Sequence, residues 1–392
     1  VLRGLLSEET GSSVTLLHVD GQSTTIAKEE IELRESQKIS GMPAFHRILK
    51  AQQVADITAW LLSNRQQQPS GNNSKEPAPK EPASKDANSK DADSKRAGKF
   101  SFRTEAKRQP GRFELLVGSQ SVLTYVYDDT VTKIPRPYFA HVKTLDGIQV
   151  TRNHPPGPDD PDDHGNFHPG IFLAFGDISG NDYWRLRAKV VHDGFAKKPS
   201  VIGETATFTV RNRYLSADGD DTICVETCRY IFYIQGDHLL IDANSQFQSD
   251  VDDFYFGDQE EMGLGVRVAS PIREKEGNGR IINNRGQSSA GITWGQPAEW
   301  CDYAGTIHDR HVGITVMASP GNARTSWWHN RDYGLFAANL FGRQAMRQGE
   351  PSKIVVKKGE SFQLRYGVLI HSGKQRFDPA PSYKAYQKII GD

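Results

Sequence analysis

The residues best equipped for chemistry sit in one short run, Trp327-Trp328-His329-Asn330-Arg331-Asp332-Tyr333, which continues into the apolar stretch Gly334-Leu335-Phe336-Ala337-Ala338-Asn339. The faces of Trp327, Trp328 and Tyr333 can lie against a flat apolar ligand surface, while His329, Arg331 and Asp332 supply directional donors and acceptors. A sugar or another polyhydroxylated molecule presents both kinds of surface. The competing reading is a core strand with buried indoles and a local Arg331–Asp332 pair. Polar groups converging beside aromatics favour a binding site.

Four further segments could join it. The loop from His154 to His168 carries Asp159, Asp160, Asp162, Asp163 and His164, bent by Pro155, Pro156, Pro158 and Pro161. Imidazole and carboxylate together can ligate a metal or exchange protons, although the spacing fits no closed zinc site and Asp/Pro loops also occur as plain solvated turns. The run Phe175-Gly176-Asp177 to Tyr183-Trp184 offers Asp177 and Trp184, either in a cleft or as a Gly/Asp hairpin turn. Gly257 to Arg267 sets Glu261 and Arg267 in a glycine-rich strand, as a carboxylate and a cationic clamp or as a structural ion pair. In Glu299-Trp300-Cys301-Asp302-Tyr303, strand alternation puts Trp300 and Asp302 on one face. No base is visible beside Cys301, so a buried free thiol is expected there rather than a nucleophile.

The elements that must position these groups are β-strands. From about residue 100 onward, runs of six to ten strand-forming residues alternate with Gly/Asp turns. Examples are 206–210 and 222–225 around Ala217-Asp218-Gly219-Asp220, 229–233 and 238–241 around Gln235-Gly236-Asp237, and later 312–317 and 362–370. No long amphipathic helix interrupts them. The expectation is mainly β: a large antiparallel β-sandwich over 100–392, of supersandwich rather than immunoglobulin size.

Residues 66–99 repeat Ser-Lys-Glu and Ser-Lys-Asp among Pro, Ala and Asn, with no large apolar side chain, and read as a disordered linker. Residues 1–65 read as a small unit: a hairpin around Asp20-Gly21, then Gly41-Met42-Pro43, then a helix with Val54, Ile57, Trp60 and Leu61 at three-to-four spacing.

The 392 residues carry 48 basic and 48 acidic side chains, and this zero net charge argues against a nucleic-acid partner. No run approaches the ~18 apolar residues of a membrane span. Of Cys224, Cys228 and Cys301, the first two share one predicted strand about 13 Å apart, too far for a disulfide. The chain opens on Val1 without a signal-like stretch and is expected to be a piece or processed form of something longer.

Met42-Pro43 and the helix over 53–62 resemble the axial-Met loop and last helix of planctomycete-type cytochrome c domains. That resemblance implies an electron-transfer partner upstream in a full-length protein. The chain has no Cys-x-x-Cys-His, so it cannot attach haem covalently by itself; a divalent metal stays open as a cofactor.

The blocks Gly170–Trp184, Gly257–Ala269, Trp294–Gly305 and Trp327–Gly342 resemble, in order, those of a PmoA-like bacterial family of unknown function over residues 110–373. The resemblance implies a galactose-mutarotase-like supersandwich that binds or processes sugars, in a periplasmic or secreted setting. The family pattern Asp-His-Pro-His-His-Arg-Gly stands here as Asp163-His164-Gly165-Asn166-Phe167-His168-Pro169-Gly170, and Phe175 replaces a His before the Gly-Asp turn. His164 and His168 are the surviving candidates.

Two functions follow as expectations. One is a carbohydrate-active enzyme (hydrolase, lyase or epimerase) on a plant or algal glycan. His168 or His329 would be its acid/base, Glu261 or Asp302 the carboxylate partner and Arg331 the clamp. Trp300, Trp327 and Trp328 would be stacking platforms, with His164, Asp177, Trp184, Arg267, Asp332 and Tyr333 also contacting the ligand. The other is a non-catalytic glycan-binding module, favoured by the incomplete His/Arg set. A redox protein ranks last.

Overall fold

The computed structural model describes residues 5–17, 23–31, 99–104, 110–129 and 131–391. The chain divides into two compact units, Val1–Asn88 and Ser89–Asp392.

In the first unit, strands β1 (Leu5–Glu9), β2 (Ser13–Leu17) and β3 (Ser23–Ala27) form an antiparallel sheet in the order β1-β2-β3. The expected hairpin is the β2–β3 pair, with Val14 opposite Ile26. Strand β1 was not foreseen. The Asp20-Gly21 turn, Met42-Pro43, the helix over 53–62 and nearly all of the linker lie outside the described residues.

The second unit is mainly β. Its strands are β4 (Phe100–Arg103), β5 (Arg112–Val117), β6 (Gln120–Val126), β7 (Tyr138–Ala140), β8 (Ile171–Phe175), β9 (Val190–Ile202), β10 (Thr205–Leu215), β11 (Thr222–Gln235) and β12 (His238–Gln248). They continue with β13 (Phe254–Phe256), β14 (Met262–Arg267), β15 (Arg280–Asn283), β16 (Trp300–Ile307), β17 (Arg310–Ala318), β18 (Trp327–Asn330), β19 (Leu335–Asn339), β20 (Ile354–Val356) and β21 (Ser361–Gly373). A first eight-stranded sheet runs β15-β16-β17-β21-β12-β11-β10-β9, and a second runs β18-β19-β14-β8-β7-β6-β5-β4. Every pairing in both sheets is antiparallel. The tight link at Gly236-Asp237 sets Gln235 opposite His238, and Gly236 supplies the left-handed backbone (φ 58°) that such a turn needs.

Period-two patterning builds the core between the sheets. Val312, Ile314 and Val316 of β17 and Leu364, Val368 and Ile370 of β21 meet Ile171, Phe175, Leu264, Val266 and Phe336 of the second sheet. The thiols of Cys224, Cys228 and Cys301 are free and buried there. Burial raises all three thiol pKa values, which suits apolar filling rather than nucleophilic attack.

The outer face of the first sheet is covered near the chain end by helix α2 (Ala380–Ile390), which follows the four-residue helix α1 (Ala290–Thr293). The sequence reading had no such helix. The helix is short, has Pro381 in its first turn and ends on Gly391 in a left-handed conformation. Its Tyr386 packs with Leu240, Trp300, Met317 and Leu369.

That covering corrects two expectations. Trp300 and Asp302 do share a face, as alternation requires, but it is this outer face and not a ligand surface. Trp300 packs in the cluster under α2. Asp302 accepts from Thr315 at 2.7 Å and bonds His371 Nε2 at 2.8 Å, while Phe377 stacks on the His371 ring at 4.2 Å. Asp302 therefore belongs to a buried polar cluster on the first sheet and does not partner His168 or His329.

Candidate functional site

The site forms on the outer face of the second sheet, and β14 shows why. In Met262-Gly263-Leu264-Gly265-Val266-Arg267, the even-numbered residues face the core and the odd-numbered ones face outward. Gly265 lies opposite Phe172 of β8 and Ala337 of β19, and Ala337 lies opposite His329 of β18. A row thus crosses four strands with a ring at each end and almost no side chain between.

The Trp184 indole fills that gap. It packs edge-to-face on Phe172 at 5.1 Å, on His168 at 5.7 Å and on His329 at 6.3 Å. A methyl group on Gly265 would lie 2.7 Å from the Phe172 ring and 3.1 Å from the indole. Gly265→Ala is therefore expected to cost about 1–3 kcal/mol and to displace the indole. Denaturant unfolding and near-ultraviolet circular dichroism check this, and an unchanged midpoint and spectrum would show that the rings yield freely.

The loop over 152–170 brings its imidazoles onto this row. The rings of Tyr333, His164, His168 and Phe172 form a near-parallel stack with successive centroid spacings of 5.2, 5.1 and 5.8 Å. Two buried arginines hold the loops. Arg136 donates to the carbonyls of Tyr183 and Trp184 at 2.8 and 2.9 Å and to that of Phe167, with its guanidinium 4.6 Å from the Phe172 ring. Arg152 donates to the carbonyls of Pro161 and Asp163 at 2.9 and 2.8 Å. A third, Arg267, donates to both Asp163 oxygens at 2.8 and 3.1 Å and lies 4.7 Å from the Tyr333 ring.

Several buried polar atoms here have no hydrogen-bond partner: both ring nitrogens of His168 and of His329, Trp184 Nε1 and Arg267 Nη1. Such orphans are costly unless a ligand or water satisfies them. His168 and His329 are each 1% exposed. Burial pushes the His329 pKa down to about 3, helped by Arg331, Arg185 and His164. Burial, then Arg267, His164 and Arg136, holds His168 well below its ordinary value. Both imidazoles are neutral at physiological pH.

Above them stand two charged pairs. Arg331 contacts Glu260 at 3.1 Å, and Arg185 contacts Glu261. Glu260 Oε2 is 3.7 Å from His329 Nδ1. Burial raises the Glu261 pKa, and the neighbouring Glu260 adds to that effect against the pull of Arg185. Glu260 and Arg331 also border an open cleft of about 570 Å³, with Trp294, Asn330, Asp332 and Arg347 in its lining. Among the described residues, no group of three or more His, Cys, Asp or Glu side chains is placed to hold a metal ion.

The structure brings together His164, His168, Trp184, Glu261, Arg267, His329, Arg331 and Tyr333, with exposed Asp332 on the adjoining cleft. Besides Trp300, two predicted ligand contacts, Trp328 and Asp177, fall elsewhere. Trp328 points into the core, stacked on Phe336, and its Nε1 donates to the Ala298 carbonyl at 2.9 Å. Asp177 caps a turn, accepting from Gly180 N at 2.8 Å. Trp327, on the same side of β18 as His329, is half-buried with Arg324 5.8 Å from its ring.

Sequence reasoning missed Arg136, Arg152, Arg185 and Arg347 and left Glu260 and Asp163 unassigned. Arg185 and Glu260 each adjoin a predicted residue, which is the one local signal available. Arg136 and Arg152 are single arginines in loops, and nothing in their sequence neighbourhood marks them.

Fold and site define a two-sheet antiparallel β-sandwich with a buried cluster of imidazole and aromatic rings on one outer face and an open polar cleft beside it. Residues 112–383 match the model of a family of unknown function, DUF6807, and the chain belongs to that family. No curated protein matches.

Solved structures with a partly similar chain path include an α-galactosidase from Lactobacillus brevis (8% identity, TM-score 0.33, 63% of this chain and 38% of that one). A TPR-domain-containing protein from Parabacteroides distasonis matches at 10% identity and TM-score 0.36, over 68% of this chain and 48% of its own. A galactose mutarotase related enzyme from Lactobacillus acidophilus matches at 9% identity and TM-score 0.30, over 71% of this chain and 99% of its own. The chain thus spans less than half the length of the first two. Scores this low bear on neither substrate nor reaction.

Proposed function

We propose that the outer-face cleft binds a carbohydrate and performs acid–base chemistry on it. The observation that carries this reading is the convergence of unpartnered buried polar atoms on His168, His329, Trp184 and Arg267 beside aromatic faces. A polyhydroxylated ligand supplies both the apolar face and the missing partners.

The roles follow from the proton affinities. An imidazole with a pKa of about 3 is a poor proton acceptor near pH 7. His329, and His168 with it, serve better as neutral hydrogen-bonding groups that polarise a ligand oxygen. Glu261, whose proton affinity is raised by burial, is the group suited to giving and taking the proton. Arg331 orients the ligand from the cleft side.

The finer reading is a hydrolase, lyase or epimerase on a plant or algal glycan, working outside the cytoplasm. Cell fractionation that finds the protein in the cytosol would remove the location. The alternative, a glycan-binding module without turnover, draws on the incomplete His/Arg pattern around His164 and His168.

The test is a calorimetric and product screen of the full chain against plant and algal oligosaccharides, with and without divalent cations. Binding with product supports the enzyme, and binding without product the module. No binding across the panel would end the carbohydrate reading.

A further inference from the structure

The open cleft beside the buried rings is walled by three segments. Trp294 follows directly on α1, where its backbone N–H donates to the Ala290 carbonyl at 2.9 Å, and the neighbouring Gly295 N–H donates to the Trp328 carbonyl at 2.8 Å. Arg331 and Asp332 follow β18. Arg347 stands on the loop over 342–352. The Asp258 carboxylate holds that loop by accepting from the backbone N–H groups of Gln344, Ala345 and Ser352 at 2.9, 2.9 and 2.6 Å. Walls pinned by backbone bonds make a cleft that is formed before a ligand arrives.

The lining matches the two surfaces of a sugar ring. Trp184, Trp300 and Trp328 are buried, whereas Trp294 is half-buried and borders the cleft. The guanidinium groups of Arg331 and Arg347 stand 5.8 and 5.6 Å from its ring centre. The arginines seated on Phe172 and Tyr333 come to 4.6 and 4.7 Å. The pair at Trp294 stands further off its ring, which leaves room for the C–H face of a pyranose on the indole. The charged groups in the lining are Arg331 and Arg347 against Glu260 and Asp332. An anionic or a cationic ligand meets like charge there as often as unlike charge. Sugar hydroxyls both donate and accept, so a neutral sugar can use the guanidinium donors and the carboxylate acceptors together.

Glu260 joins this cleft to the proposed chemistry. Its Oε2 lies 3.1 Å from Arg331 and 3.7 Å from His329 Nδ1, and Glu261 is the next residue. At about 570 Å³ the cleft has the size of an ordinary small-molecule site and room for more than one pyranose ring. We propose, resting on the carbohydrate reading above, that Trp294 is the stacking platform of a neutral-sugar subsite in this cleft, with Arg331 and Arg347 holding hydroxyls at its rim. A sugar unit on Trp294 extends the unit beside Glu261, so the ligand is an oligosaccharide and not a monosaccharide.

The experiment is calorimetric titration of the full chain with three neutral series: glucose to cellotriose, mannose to mannotriose and galactose to galactotriose. In a series that binds, the trisaccharide is expected to bind at least about tenfold tighter than the monosaccharide. Trp294→Ala is expected to remove that gain, and Trp294→Phe, which keeps an aromatic face, to retain part of it. Gly291 also borders the cleft, and a Cβ placed there meets no heavy atom within 4 Å. Gly291→Gln therefore fills part of the cleft without disturbing its walls. It is expected to weaken trisaccharide binding too, which keeps the test decisive if Trp294→Ala does not fold. Thermal melting reports the folding of each variant.

A trisaccharide gain that survives in folded Trp294→Ala would overturn the platform. A monosaccharide that binds as tightly as its trisaccharide would overturn the extended ligand. Either result leaves the carbohydrate reading standing. No binding in any series would bring down both the subsite and the reading beneath it.

Discussion

On the proposed acid–base reading, Glu261→Gln is expected to lower turnover of an oligosaccharide substrate by about 10²–10⁴-fold, with little change in binding. The substitution keeps size and hydrogen-bonding shape but removes the exchangeable proton. Burial and Glu260 raise the proton affinity of this carboxyl, so it can exchange protons nearer neutral pH than a solvated glutamate can. The neutral imidazoles of His168 and His329 cannot substitute for it, because burial holds both far below the range in which they would accept a proton. Measured kcat and KM separate the outcomes. A fall in kcat alone supports proton transfer by Glu261. A rise in KM alone would reduce Glu261 to a ligand contact through Arg185. Unchanged kinetics would take the residue out of the reaction.

Acid is expected to destabilise the folded protein well before its carboxylates are neutralised, and His329 is a main cause. The unfolded imidazole takes up a proton below about pH 6.5, whereas the folded one resists until about pH 3. Between those values the unfolded chain binds more protons, so lowering the pH favours unfolding. The stability at stake is fully present above the unfolded value and is lost as the pH falls toward the folded one. Near pH 4.5 the loss from His329 alone is about 3 kcal/mol, taking roughly 1.4 kcal/mol per unit.

His154, pushed down to about 4 by burial, acts in the same direction, as does His168. Glu261 opposes them, because a raised carboxyl pKa is relieved as the pH drops. Denaturant midpoints at neutral and acid pH, for the unaltered protein and for His329→Gln, isolate the single contribution. The pH-dependent loss is expected to shrink by about 3 kcal/mol in the variant. An identical loss in both proteins would show that the His329 imidazole is not held neutral by its surroundings.

Much of the fold was legible because period-two patterning and turn chemistry are local. The strands around Gly236-Asp237 follow from residues adjacent in the chain, and so does the alternation that sends Cys301 and Tyr303 one way and Trp300 and Asp302 the other. Alternation tells which residues share a face. It does not tell what covers that face. Trp300 and Asp302 share a face that reads as a ligand surface, but Phe377 and helix α2 of the C-terminal segment lie over it. Trp328 and His329 are neighbours in one strand, yet one is core and the other joins the buried rings on the outer face, because the pleat turns them to opposite sides of the sheet.

By itself the sequence determined the mainly β class, the large antiparallel sandwich, and the segments that carry His164, His168, Trp184, Glu261, Arg267, His329, Arg331 and Tyr333. Those are properties of local pattern and residue type. Only the tertiary structure decided which of the candidates meet. The row Phe172–Gly265–Ala337–His329 exists because strands distant in sequence pair in one register. Arg136 and Arg152, buried beneath it, come from loops that carry no motif. Register and loop closure depend on long-range packing of the two sheets.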